Sequence, residues 1–189
     1  IDAKAVQTDI MKSVEVAAKQ RLTTRSIIFP RNQYNDNTLQ ICRSAGIEVF
    51  RGNELHPVYT RGKIQTEKMS TKIFRVLDAY INLSGHHAYL PVKEHGMINV
   101  RASRFLRPYS VKLSVLDVLK MRRIKRAMKF AATQKKIFHL WWHPHNFGGH
   151  PEKNFQFLEA LLKYYRELNQ SHHYQSANMQ EIGKLYEQL

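Results

Sequence analysis

The run Phe138-His139-Leu140-Trp141-Trp142-His143-Pro144-His145-Asn146-Phe147-Gly148 brings imidazoles, indoles and an amide into one short segment. On an extended strand side chains alternate, so His139, Trp141 and His143 share a face. His143 then stands at the strand's C-terminal end. His145 follows two residues on, beyond a proline that stiffens the turn. An imidazole in that position titrates near neutral pH and can act as general acid or base. Two such histidines could instead ligate a metal. Tyr34, Trp141, Trp142 and Phe147 offer aromatic faces for the C–H side of a sugar ring or for a nucleobase. Whichever tryptophan faces inward is expected to be core.

Two other segments place polar side chains directly after a strand. Phe29-Pro30-Arg31-Asn32-Gln33 follows the β-branched run Ser26-Ile27-Ile28, and an arginine there can hold a carboxylate through both of its forks. Arg51-Gly52-Asn53-Glu54 follows Ile47-Glu48-Val49-Phe50 in the same way, with Asn53 as a candidate polar contact. His86, His87, His95, His150, His172 and His173 lie scattered in expected loops and read as surface residues. The sequence has no phosphate-cradling glycine loop and no Gly-x-Ser-x-Gly elbow. Its single cysteine, Cys42, excludes an internal disulfide and reads as buried packing.

The elements that must position these groups follow from spacing. Val6, Ile10, Met11, Val14 and Ala17 mark a helix over the first twenty or so residues. Strand 26–30, a helix capped by Asn35 or Asp36 and closed near Gly46, and strand 47–50 form a parallel strand-helix-strand unit. Met69, Ile73, Phe74, Leu77 and Ile81 mark a helix over 66–83; residues 84–110 have no clean period. A helix is expected over 113–132, a strand over 136–142 and a helix opened by Pro151. Asn178 and Glu181 resemble a capping box for a last helix, and residues 174–176 are a further strand candidate. No repeat or linker divides the 189 residues, so they read as one α/β domain with parallel strands.

Composition narrows the function classes. At 43% hydrophobic and 11% aromatic, the chain is neither disordered nor of low complexity. No window approaches the roughly 18 apolar residues of a membrane-spanning helix. Thirty Lys and Arg against fifteen Asp and Glu give a net charge of +15, which attracts polyanions. The densest basic stretch, Lys120-Met121-Arg122-Arg123-Ile124-Lys125-Arg126, has apolar residues at helical spacing and reads as the basic face of an amphipathic helix. No secretory leader is apparent, which is compatible with a cytoplasmic location or with a missing N-terminal part.

Segments 26–54 and 137–148 together resemble the polysaccharide deacetylase family. This is the nodulation-type homology group of carbohydrate esterase family four, in its bacterial surface-polysaccharide branch. The resemblance rests on Phe-Pro-Arg-Asn-Gln at 29–33, Gly-Ile-Glu-Val-Phe-Arg-Gly-Asn at 46–53 and His-Leu-Trp-Trp-His-Pro-His-Asn at 139–146, with 179–182 as the closing helix. It implies a distorted (β/α) barrel of about seven strands and metal-assisted removal of an acetyl group from a sugar. Arg31 looks like the arginine that orients the catalytic aspartate, and His143 like the acid histidine, with His145 as its competitor. Asn32, Gln33, Asn53, Trp141, Trp142 and Asn146 would then face substrate.

The family's paired aspartates and its His-x-x-x-His metal ligands are absent from this sequence. The resemblance therefore covers roughly the C-terminal two-thirds of such a domain, an incomplete barrel with an open sheet edge or a missing wall. The zinc-like divalent metal is implied by the family, but its ligands are not in this chain. The partners implied are an acetylated polysaccharide or oligosaccharide and a possible anionic glycan. A glycan-binding remnant without catalysis is the alternative, and a basic nucleic-acid binder ranks last because no nucleic-acid-binding motif is present.

Overall fold

The computed structural model describes residues 2–59 and 69–188, whose contacts form two units. The first comprises Ile1–Gly52, Pro91–Arg101 and Ala177–Leu189; the second comprises Asn53–Leu90 and Ala102–Ser176.

In the first unit, α1 (Ala3–Lys19) starts at Asp2, whose carboxylate accepts the Lys4 N–H at 3.0 Å. Its Ile10 and Val14 pack on a core of Phe29, Leu39, Cys42, Ile47, Phe50 and Met97. The expected strand-helix-strand unit is present. β1 (Ser26–Ile27) pairs in parallel with β2 (Val49–Phe50), and α2 (Asp36–Ser44) links them. Asn35 caps α2 by accepting the Thr38 N–H, and Gly46 takes the left-handed φ of 82° that ends it. β1 is shorter than expected because Pro30 has no N–H for a ladder and opens a 3-10 turn instead.

Residues 92–99, expected to lack regular structure, form an antiparallel hairpin of β3 (Val92–Glu94) and β4 (Met97–Asn99). Its two loop residues, His95 and Gly96, have φ of 48° and 79°, the left-handed pair that a tight hairpin turn needs. β4 is fully buried and pairs in parallel with β2, giving the order β1-β2-β4-β3. A strand buried on both faces shows no polar alternation, which is why spacing does not reveal it.

In the second unit, α3 (Met69–Asp78) falls within the expected helix over 66–83, of which 66–68 lie outside the described residues. It stops at Asp78 because that carboxylate accepts the Leu83 and Ser84 N–H groups, at 2.9 Å each, and turns the chain. β5 (Arg104–Phe105) pairs in parallel with β6 (Leu140–Trp141). The strand expected over 136–142 is thus shorter, with Ile137 making only an isolated bridge to Tyr89.

A 3-10 stretch at Val111–Leu116 leads into α4 (Asp117–Thr133). After β6 come α5 (Pro144–Phe147) and α6 (Pro151–His172), each with proline in its first turn. Leu106, Ile124, Met128, Phe147, Leu161 and Leu168 form this unit's core. Residues 174–176 are not a strand: His173, at φ 52°, ends α6, and the Ser176 N–H bonds to the Tyr165 hydroxyl. The last helix, α7 (Met179–Glu187), belongs to the first unit and has the expected Asn178–Glu181 capping box. It packs on β2 so closely that a Cβ at Gly183 would lie 2.5 Å from a Val49 methyl.

The fold is mixed α/β with mostly parallel strands, and among the described residues neither sheet closes into a barrel. No described helix is long and apolar enough to cross a membrane.

Candidate functional site

β6 ends at Trp141, and the chain turns at His143, whose extended backbone (φ −100°, ψ 127°) makes it the residue before α5. Pro144 fixes the first helical position, so the next turn carries His145 back beside His143. Their rings stack with centroids 5.2 Å apart and planes 16° from parallel. The other side of this cluster is aromatic. Trp141 meets His143 edge-on at 5.4 Å, and Phe105 of the paired strand lies 4.7 Å from Trp141 and 5.8 Å from His143. Strand alternation therefore places Trp141 and His143 together, as expected. Both histidines are exposed, so two imidazoles can exchange protons with solvent beside an apolar wall.

Trp142 points elsewhere and stacks on the buried Phe147 at 5.7 Å. It is 38% exposed and Trp141 is half-buried, so the expectation that one of the pair is simply core is corrected. A two-residue strand cannot bury an indole completely, because only one neighbouring strand covers it. Asn146 lies within α5, half-buried, and its N–H bonds to the His143 carbonyl.

At the carboxyl ends of the parallel strands of the first unit a second polar cluster forms, where α/β folds hold their ligands. Arg31 and Asn32 both adopt left-handed backbone, at φ 55° and 52°. Non-glycine residues held there store on the order of 1 kcal/mol or more each, and such strain concentrates at functional sites. Asn32 is buried, and its Oδ1 accepts from both Nε (3.1 Å) and Nη2 (2.8 Å) of the buried Arg51. That bond fixes the amide's orientation. Arg31 and Gln33, on either side of it, are exposed.

The same edge carries residues that spacing did not single out. Asn99, fully buried at the end of β4, accepts the Gly52 N–H at 2.9 Å and donates to Glu94 at 2.9 Å. Arg101 in turn pairs with Glu94. Their signal in sequence is hidden with the hairpin that carries them. Asn53, the other candidate on this segment, is half-buried and begins the second unit.

The second unit also contains a buried network that the sequence did not disclose. Asp78, at 0% exposure, accepts from Tyr59 Oη (2.6 Å) and Ser84 Oγ (2.7 Å), and pairs with the buried Arg104 (3.2 Å) and Arg123 (3.5 Å). Burial opposes its ionisation. The hydrogen bonds from Ser84 and Tyr59 and the charge of Arg104 outweigh that, and the carboxyl titrates well below the usual carboxylate range. His87, expected at the surface, is buried: its Nε2 lies 2.5 Å from Ser84 Oγ and its Nδ1 2.7 Å from Tyr89 Oη. Burial, helped by the Arg104 charge, lowers its pKa to about 4. The only warning in the sequence is that 84–110 lacks a period.

Of the sequence-derived candidates, Trp141, His143 and His145 come together in one ring cluster, and Arg31, Asn32 and Gln33 share one strained turn. Among the described residues no group of three or more His, Cys, Asp or Glu side chains comes close enough to hold a metal ion, so these residues do not fit the divalent metal that the resemblance implies. Comparison of the chain with known protein families, with curated proteins and with solved structures finds no match.

Proposed function

We propose that this chain is part of a hydrolase that removes an acetyl group from a sugar of a polysaccharide or its precursor. The observation that carries the reading is the exposed His143, stacked on His145 and walled by Trp141 and Phe105 at the end of two parallel strands. An acetyl group has an apolar methyl and a polar leaving atom, and this surface offers a complement to each. The aromatic wall can take the methyl, and the imidazole can deliver a proton to the departing sugar nitrogen or oxygen. Trp142, Asn146 and Asn53 in one unit, and Asn32 and Gln33 in the other, are the substrate contacts of this reading. Arg31 acts by orienting the base.

A distorted (β/α) barrel lacking its first strands is the finer fold that goes with this function. The parallel pairings β1–β2, β2–β4 and β5–β6 support it. The described residues assemble no site for the implied divalent metal, and each of these roles belongs to one of the chain's own side chains.

The test is acetate release by the full-length protein from a panel of N- and O-acetylated oligosaccharides. His143→Ala should lower the rate by about a hundredfold or more, the usual contribution of a general acid, with the fold unchanged because the side chain is exposed. Arg31→Ala should lower kcat more than it raises KM, since its role is positioning. Binding of an oligosaccharide without acetate release would instead make this a glycan-binding protein. Activity untouched by both His143→Ala and His145→Ala would refute the site.

A further inference from the structure

We propose that the groove between α4 and α6 binds a short stretch of anionic oligosaccharide, sugar units that carry carboxylate or phosphate groups. Arg122, Lys125, Arg126 and Lys129 line it at i, i+3, i+4 and i+7 of α4, which places them in one row along the helix. The row runs about 10 Å along the axis. None of the four forms an ion pair among the described residues. The one carboxylate in the lining, Asp117, is held by Lys120 Nζ at 2.8 Å, so the wall that a ligand meets is cationic.

Beneath the cations lies an apolar floor of Val118, Met121, Phe157 and Tyr164, and the groove's volume is about 560 Å³. That falls within the range of small-ligand sites, and it combines a surface for sugar C–H faces with a row of anion-binding groups. Two observations favour a sugar over a nucleic acid. Lys120 Nζ sits 4.5 Å from the Phe157 ring centroid and Lys125 Nζ 4.9 Å from that of Tyr164, so ammonium groups already occupy aromatic faces on which bases would stack. A groove of this size also falls short of the ~1,000 Å² or more that specific duplex recognition buries. The inference rests on the groove alone and would survive failure of the hydrolase reading.

The experiment is a titration of the full chain with a labelled oligogalacturonate, which carries carboxylates and no acetyl group. A single-stranded DNA of equal charge and a neutral dextran of equal length are the comparators. The expected result is oligogalacturonate binding that weakens with salt, exceeds DNA binding, and falls about tenfold or more in the combined Arg122→Gln, Lys125→Gln, Arg126→Gln, Lys129→Gln variant. Should that variant lose its fold, Arg122→Gln and Arg126→Gln singly should each cost about two- to fivefold. No binding, binding unchanged by these substitutions, or DNA bound as tightly as the uronate would overturn the proposal.

Discussion

Ser84 Oγ stands 2.5 Å from His87 Nε2 and 2.7 Å from Asp78 Oδ2, and only one arrangement of protons satisfies both contacts. Asp78 is ionised and can only accept, so Ser84 donates to it. Ser84 must then accept from His87, which places the imidazole proton on Nε2 and leaves Nδ1 to accept from Tyr89 Oη. Tyr89 Oη accepts in turn from the Leu55 N–H. The buried hydrogen bonds therefore all run one way, toward the carboxylate.

That polarity makes stability depend on pH. The folded chain keeps His87 neutral down to about pH 4, while the unfolded chain protonates it near 6.5. The unfolded state thus binds more protons between those values, and stability falls as the pH drops from 6.5 to 4. The loss from this group should be on the order of 3 kcal/mol at most. Urea titrations across that window should show a clear slope in the native protein and a shallower one in His87→Gln. Identical slopes would mean that His87 is not the group responsible.

Asp78→Asn should be far more damaging than a surface change. It leaves the buried Arg104 and Arg123 facing no opposite charge, at a cost of about 3–5 kcal/mol. Ser84→Ala removes one donor to the carboxylate and should cost about 1–2 kcal/mol. The Asp78 contribution, present at neutral pH, should be lost only as the pH falls well below the ordinary value of 3.8. Chemical denaturation of both variants measures the difference, and equal effects would remove Asp78 from the centre of the network.

Gly52→Ala tests the polar edge of the first unit. A Cβ there would fall 2.3 Å from Asn99 Oδ1, which is itself buried and bonded to the Gly52 N–H. Asn99 must move, breaking that bond and the one to Glu94, and a loss of about 1–3 kcal/mol is expected. Because both changes disrupt the same contacts, the double variant Gly52→Ala, Asn99→Ala should destabilise less than the sum of the singles. Strict additivity in thermal unfolding would contradict this.

Cys42 is fully buried, and burial raises its thiol pKa to about 11. A thiol-specific reagent at pH 8 should label it slowly in the native protein and at once after unfolding. Fast native labelling would mean that α2 opens readily.

Sequence spacing revealed those elements whose burial is one-sided. α1, α2, α6 and α7, their caps at Asn35 and Asn178, and the parallel β1–α2–β2 unit follow from period and end signals. The β3–β4 hairpin did not show because β4 is buried on both faces and its turn is made by His95-Gly96 rather than by a common turn pair. At the candidate site, alternation along the strand was enough to place Trp141 beside His143. The stacking of His145 on His143 depends on the helical turn that Pro144 starts, which two residues of spacing could not specify. Asp78, Ser84, Arg104 and Arg123 lie far apart along the chain and become one cluster only through tertiary packing.

The first unit is assembled from three separate stretches of chain, and α7 supplies the cover for Val49 of β2. During synthesis, β1, β2 and β4 leave the ribosome well before residues 179–187 exist to close over them. The nascent chain must therefore carry part of its sheet uncovered until translation of that helix is finished, an interval in which exposed strand surface invites aggregation and a holding chaperone would raise the yield.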